Sequence, residues 1–255
     1  MYAEERQQAM AQLIGQHGRL SVTQLADTFE VTTETVRRDL SSLERIGLVR
    51  RVHGGAVPSS SLSVIESALG ERDQANIAAK DAIAGAAIQQ LPPPGSVVVV
   101  DAGSTTARLA AVLPREHRLM VVTHAVPVAA RLAGLPHIEL HLLPGRVRPT
   151  TQAAVGADTV AALGELRADV AFVATNGLSH DFGLTTPDRD EAATKRAIVG
   201  CARRTVVLAD SSKIGVETPV RFASIGDVDV LVTDSGITDS SRAALEGKGL
   251  EVVVA

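Results

Sequence analysis

Apolar residues along the first sixty positions recur at helical spacing. Between residues 4 and 17, Met10, Leu13 and Ile14 fall on one side, and Ser21 opens a short second helix whose Leu25 and Phe29 suit a small three-helix core. Phe29 to Val31 reads as the turn into a third helix. At about 3.6 residues per turn, Val36, Leu40 and Leu43 share one side of that helix, and Glu34, Arg37, Arg38, Ser41 and Arg45 share the other. Thr32 or Thr33 is suited to cap its start, and Gly47 to end it in the left-handed conformation. Leu48 to Arg51 then reads as a strand, Gly54 and Gly55 as a tight turn, and Ala56 and Val57 as the start of the return. This is the pattern of a winged helix-turn-helix.

The polar half of the pattern has the chemistry of DNA recognition. Arginine makes bidentate contacts with guanine edges and neutralises phosphate, so Arg37 and Arg38 are candidates for base readout and backbone anchoring. Arg50, Arg51 and His53 would set the wing against the sugar-phosphate backbone or the minor groove. Ser21, Thr32, Thr33 and Thr35, near the helix starts, complete the candidate DNA contacts. An arginine-rich helix taken alone is more often a solvated face; the spacing, the caps and the Gly-Gly wing together reverse that preference. Residues 1 to 57 hold seven arginines and seven acids, so a DNA surface must come from clustering and not from net charge.

Beyond residue 57 the pattern changes. The serine-rich stretch from Pro58 to about Asp73 suggests a linker or pairing segment, giving an expected division into a DNA-binding domain at 1–57, a linker at 58–75 and a second domain at 76–255. In the second domain, runs rich in β-branched residues recur at 96–101, 119–123, 138–143, 170–175, 205–210 and 228–233, with a possible last strand at 251–254. Ala-rich helical stretches lie among them at 76–90, 104–113, 125–134 and 188–203. Continuously apolar strands that alternate with helices predict a largely parallel sheet covered on both faces, hence an α/β fold.

Composition adds bounds. A chain of 255 residues suits one small and one ordinary domain, and 45% hydrophobic against 2% aromatic content means a core of Ala, Val, Leu and Ile. Cys201 is the single cysteine, which excludes an internal disulfide and reads as a buried, inert thiol. The start MYAEERQQ does not resemble a secretory signal, and no apolar run reaches the roughly 18 residues of a membrane span, so a cytoplasmic location is expected. A net charge of −4 excludes a general nucleic-acid coat and permits one local DNA face.

Ligands of such sheets collect at the carboxyl ends of the strands. The first expected strand ends in Asp101 through Thr106, DAGSTT, a loop of small residues able to present backbone N–H groups and three hydroxyls to an anion. It lacks the lysine and spacing of a P-loop, which argues against ATP or GTP. Other strand ends carry Thr123 and His124, then Pro144, Gly145 and Arg146, then Asn176 and Gly177 with Asp181, then Asp210 with Lys213. Such groups suit a hydroxylated, phosphorylated small molecule. Glu191 and Lys195, four apart on a helix, either line that pocket or form a surface ion pair.

At these residues the chain resembles the DeoR family of bacterial sugar-metabolism regulators. The resemblance runs from Arg6 to Ala56, ending in TVRRDLSSLERIGLVRRVHGGA, and continues through Arg72, Asn76, Lys80, DAGSTT, VVTH, ATNGLSHDFGLTTPDRDEAATKR and LADSSKIG. It implies a sensor domain related in fold to ribose 5-phosphate isomerase. It also implies a repressor that binds operator DNA and is released by a phosphorylated sugar. Carried over by motif, Asp101, Gly103, Ser104, Thr105 and Thr106 would bind the phosphate end, with Asn176, Asp181, Lys195, Asp210 and Lys213 near the sugar. Fructose 1-phosphate is the favoured effector, with galactitol, glycerol and deoxyribose phosphates open. The chain departs from the family at His124, where Asn is usual, and at Pro144-Gly145, where Gly-Gly is usual, which bears on effector preference.

A different class of function is a sugar-phosphate isomerase or hydrolase domain fused to a DNA-binding module, with Glu191 as base and Lys195 as its electrostatic partner. Metal binding has less in its favour. His137 and His141 have helical zinc spacing, but in a strand residues four apart are about 13 Å distant. Ser179, His180 and Asp181 are chain neighbours and do not make a triad. The expectation is a regulator without metal or cofactor, a homodimer or homotetramer on repeated half-sites, because one winged domain buries too little DNA for specificity.

Overall fold

The computed structural model describes residues 3–17, 20–45, 48–52, 54–58 and 68–255, the side chains of residues 4 and 16 aside. Gly47 and His53, and with them the expected helix stop and one wing contact, lie outside the described residues, as does the 59–67 part of the expected linker. The chain forms two compact units, Met1–Leu62 and Ser63–Ala255.

The first unit contains α1 (Ala3–His17), β1 (Leu20–Ser21), α2 (Val22–Phe29), α3 (Thr33–Arg45), β2 (Val49–Val52) and β3 (Gly55–Pro58). Met10 and Ile14 of α1, Leu25 and Ala26 of α2, and Val36, Leu40 and Leu43 of α3 form its core, with Leu13 and Phe29 packed at the edge. The wing has three strands in the order β1-β3-β2, and its first strand is too short to show a sequence pattern. Gly54 turns the hairpin at a φ of 74°, in the left-handed region that favours glycine. Gly55 serves differently: any Cβ there would overlap the Leu20 carbonyl of β1. Asp39 lies on the inward side of α3, 3% exposed, and accepts from Arg6 Nε at 2.7 Å and Gln7 Nε2 at 2.8 Å. One of the seven acids is thereby withdrawn from the surface to tie α1 to α3.

The second unit begins with α4 (Leu69–Gln74) and α5 (Ile77–Ala87). Part of the segment expected as linker is thus helical. Its Leu69 N–H donates to the Thr150 carbonyl at 2.9 Å, and Arg108 pairs with Asp73 at 3.2 Å. The Lys80 ammonium donates to the Arg72 and Ala75 carbonyls, closing the C-terminal end of α4 where Asn76 turns the chain at a φ of 53°. There follow β4 (Val97–Val100), α6 (Ser104–Ala111), β5 (Leu119–Thr123), α7 (Val126–Leu132), β6 (Ile138–Leu142), the hairpin β7 (Arg146–Arg148) and β8 (Ala153–Val155), α8 (Ala157–Gly164) and β9 (Ala168–Ala174). Next come β10 (Gly177–Ser179), β11 (Gly183–Thr186), α9 (Arg189–Cys201), β12 (Ala202–Leu208), β13 (Val220–Ala223), β14 (Val230–Thr233), α10 (Asp239–Glu246) and β15 (Glu251–Val254).

Seven strands form one sheet in the order β15-β14-β12-β9-β4-β5-β6, and every pairing is parallel. Alternate residues divide between two cores. Val98, Val100, Val121 and Phe172 join residues of α5, α6 and α7, whereas Val99, Val122, Ala171 and Val173 join residues of α8, α9 and α10. The α/β expectation holds as three layers. From β4 the chain builds outward to β6, then returns to place β9 on the other side of β4. Strand order therefore reverses between β4 and β9, which opens a crevice at the carboxyl ends of these two strands. β10, β11 and β13 form a small antiparallel sheet. No helix of the described residues is long and apolar enough to cross a membrane.

Replacing Asp39 with Ala leaves a largely buried guanidinium without its carboxylate. The substitution is expected to cost the first unit about 2 kcal/mol, seen as a lower urea midpoint, and a loss under about 0.5 kcal/mol would contradict this role.

Candidate functional sites

In the first unit, local bonds fix the DNA-facing candidates. Ser21 Oγ accepts the Gln24 N–H at 3.1 Å while Gln24 Oε1 accepts the Ser21 N–H at 2.9 Å, a reciprocal cap on α2. Thr32 Oγ1 accepts the Thr35 N–H at 3.2 Å, so Thr32 and not Thr33 caps α3. Glu34, Arg37, Arg38, Ser41 and Arg45 are all exposed. Arg37 pairs with Glu34 at 3.2 Å, an exposed contact that a phosphate can replace at little cost, and Arg38 has no ion pair among the described residues. Arg51 ties the wing to the helix: its guanidinium donates to Ser41 Oγ at 2.9 Å and its N–H to Glu44 at 2.8 Å. Arg50 is half-buried, and burial lowers its pKa against the opposing pull of Glu44.

In the second unit, the crevice between β4 and β9 holds a buried ionic cluster. Asp101 follows the Val100–Thr123 pair that ends the β4–β5 ladder, and alternation turns it, like His124, toward α9. Asp101 Oδ1 lies 2.9 Å from His124 Nε2, and Oδ2 accepts from the Lys195 ammonium and, at 2.9 Å, from the Ala174 N–H at the end of β9. Burial alone would raise the Asp101 pKa, but the charge of Lys195, joined by the hydrogen bond and charge of His124, brings it down to about 2. Both oxygens are committed inside the protein, so Asp101 organises the crevice.

The residues after Asp101, Ala102 through Thr106, are buried where the chain enters α6. Gly103 is needed because a Cβ would collide with Ala174 of β9. It also stands at the start of α6, which no side chain caps; Ser104 is the first residue of that helix, not its cap. Thr106 Oγ1 bonds the Gly103 carbonyl at 3.0 Å, while the Ser104 and Thr105 hydroxyls make no hydrogen bond among the described residues. Uncapped amides at a helix start beside unclaimed hydroxyls can hold a phosphate oxygen.

The structure distributes the remaining candidates. The Thr123 hydroxyl is buried between the Val100 carbonyl, 2.7 Å away, and the Ala125 N–H, 3.1 Å away. Gly145 has a φ of 139° and no room for a Cβ beside Thr159, so this half of the altered Pro-Gly pair remains obligatory. Arg146 is exposed and pairs with Asp190 at 2.9 Å. Asn176 donates its N–H to Thr185 at 3.1 Å and leaves its side-chain amide without a hydrogen bond among the described residues. Gly177 packs against the Val216 carbonyl. Asp181 pairs with His180 at 3.0 Å and lines a different surface cleft with Arg221 and Lys248.

Asp210 belongs to a second cluster, accepting from Asn76 Nδ2 at 3.0 Å and from Ser212. Lys213 lies in the short turn that follows. This cluster and Asp234 border a cavity of about 420 Å³ with the start of α5. Lys80 is buried nearby; desolvation lowers its pKa and the Asp210 charge partly restores it.

Glu191 and Lys195 do not pair with each other. Glu191 is buried and bonds Arg148 at 2.7 Å, and Arg148 also meets Asp188 at 3.2 Å. Arg148 was not evident as a site residue, because nothing local in the sequence signals a partner 43 positions away. Ser179 donates to Glu217 at 2.6 Å, and His141 meets Glu139 at 3.0 Å. The Cys201 thiol is buried, and its pKa is pushed up to about 11 by desolvation, as suits an inert side chain.

A winged helix-turn-helix with an exposed arginine face, in one chain with a parallel α/β unit that has a buried ionic cluster at its strand-order reversal, defines a DNA-binding transcriptional regulator with a sensor domain. Residues 6–61 match the DeoR-like helix-turn-helix domain and residues 75–235 match the DeoR C terminal sensor domain. The chain belongs to the DeoR family. It is 36% identical to the HTH-type transcriptional regulator GlpR of Haloferax volcanii over 99% of this chain and 98% of that protein. The glycerol-3-phosphate regulon repressor of Escherichia coli strain K12 is 31% identical over 92% of each chain. Among solved structures, ribose 5-phosphate isomerase A from Methanocaldococcus jannaschii aligns over 55% of each chain, at 18% identity and a TM-score of 0.39. The relatives are regulators, and the isomerase or hydrolase alternative finds no support among them.

The Asp101 cluster has a pH signature. Its pKa is depressed from 3.8 to about 2, so its stabilisation is fully present above pH 3.8 and is lost as pH falls through about 2. That loss is expected to be about 2 kcal/mol and to be absent in Asp101→Asn, as followed by acid unfolding; equal acid profiles for the two proteins would contradict it.

Proposed function

We propose that this regulator represses a sugar-catabolism operon in the cytoplasm and leaves its operator when a phosphorylated sugar fills the crevice between β4 and β9. The observation that carries the reading is the start of α6, which no side chain caps, with the Ser104 and Thr105 hydroxyls unbonded among the described residues, beside the Asp101–Lys195–His124 cluster. The phosphate lies on the Gly103–Thr106 amides and hydroxyls, and the sugar extends toward Asn176. Lys195 is held by Asp101 within this crevice, so its charge is in place before the ligand arrives. Fructose 1-phosphate is the favoured effector.

The output is the α3 face. Arg37 and Arg38 enter the major groove, Thr32, Thr33 and Thr35 anchor phosphate at the helix start, and Arg50, Arg51 and His53 lie along the backbone from the wing. Ser21 holds α2 in place beside them. A homodimer or homotetramer places two such faces on repeated half-sites. The effector shifts the balance only if it binds the form with low operator affinity more tightly.

The double variant Arg37→Ala, Arg38→Ala is expected to lose at least about a hundredfold in operator affinity by fluorescence anisotropy, since each arginine contributes about 1–3 kcal/mol. Its binding of fructose 1-phosphate should be unchanged by calorimetry. Undiminished operator affinity would contradict the assignment of the reading face.

A further inference from the structure

His124 stands where its ring meets two opposite demands. Nδ1 lies 2.8 Å from the Ala154 carbonyl oxygen, so this nitrogen carries a proton and donates. Nε2 lies 3.1 Å from the Ala102 amide nitrogen, a donor, and 2.9 Å from Asp101 Oδ1, an acceptor. A neutral ring protonated at Nδ1 offers a lone pair at Nε2, which serves the amide and opposes the carboxylate. An imidazolium serves Ala154 and Asp101, and its second N–H opposes the Ala102 amide. Asp101 does not resolve the conflict by taking the proton itself, because the Lys195 ammonium and the Ala174 N–H on its other oxygen hold it ionised.

We propose that His124 makes this crevice select an anion together with a proton: neutral, it holds the Ala102 amide; protonated, it bonds Asp101 and yields that amide to an oxygen of the bound anion. The inference rests on the anion-cradle reading above and adds how the cradle is completed. Ala102 is 8% exposed and immediately precedes Gly103, at the start of α6. Its amide has no other partner among the described residues, so once released it needs an acceptor, and the bound anion supplies one.

Charge favours the same outcome. With His124 protonated, Asp101 faces two cations, and the cluster carries one net positive charge beside the positive end of α6. Asp101, after β4, touches the ring; Lys195 of α9 reaches the other oxygen of that carboxylate; Arg148 of β7 is paired with Asp188 and Glu191. Anion binding therefore favours protonation of the ring, and protonation favours the anion.

Isothermal titration calorimetry of the intact chain with sodium sulfate, whose own charge does not change near neutral pH, tests the inference in buffers of different ionisation heat. Sulfate binding is expected to take up close to one proton, and its affinity to fall by up to about tenfold for each unit of rising pH. His124→Asn should bind sulfate without proton uptake and with an affinity that does not vary with pH; His124→Gln serves if circular dichroism shows the Asn variant unfolded. Sulfate binding without proton uptake by the natural protein, or equal uptake by a folded variant, would overturn the role of His124 alone. Failure of both sulfate and fructose 1-phosphate to bind would overturn the cradle reading with it.

Discussion

The reversal of strand order between β4 and β9 is the constraint on which the sensor unit depends. It places the end of one central strand, Asp101, against the end of the other, Ala174, with no crossover covering the gap. A carboxylate buried at such a point is tolerable only when paired, and the Lys195 ammonium and the Ala174 amide pair it. That pairing in turn places a lysine beside the uncapped start of α6. A cation and a helix start without a side-chain cap thus meet at this point because of how the chain is wound.

The DNA-binding unit solves a different problem. Its arginines and acids balance, so its surface is basic only where the acids are otherwise engaged. Asp39 is buried against Arg6, and Glu44 is turned to the Arg51 backbone at the base of the wing. Glu34 remains exposed, but its contact with Arg37 is a weak helix-surface pair. The exposed face formed by Arg37, Arg38 and Arg45 is thus left basic by contacts that engage Asp39 and Glu44 elsewhere.

Much of this was legible in the sequence where the cause is local. The spacing of Val36, Leu40 and Leu43, a cap at Thr32 or Thr33 and the turn at Gly54 each act within a few residues. The small loop after the first sensor strand was visible for the same reason, since a run of valines ending in DAGSTT marks a strand end. What stayed hidden depends on partners distant in the chain. Arg6 with Asp39, Arg148 with Glu191, and Lys80 at the end of α4 are set by packing. Strand ends also shifted: β12 spans Ala202–Leu208 where 205–210 was expected, because the buried Ala209 and Asp210 continue the run of buried residues beyond the ladder. Asp181, grouped by motif with the sugar site, lies instead in an exposed loop beside another cleft.

The central claim is that the crevice and the operator compete through one conformational balance. Thermodynamic linkage makes the coupling reciprocal, so a ligand that weakens DNA binding must itself be weakened by DNA. The direct measurement is the affinity of the intact regulator for each of a panel of phosphorylated sugars, with and without saturating operator DNA. One sugar phosphate, fructose 1-phosphate foremost, is expected to bind about 5- to 150-fold more weakly to the DNA-bound protein, and its unphosphorylated form not to bind. Equal affinities across the whole panel would contradict the account.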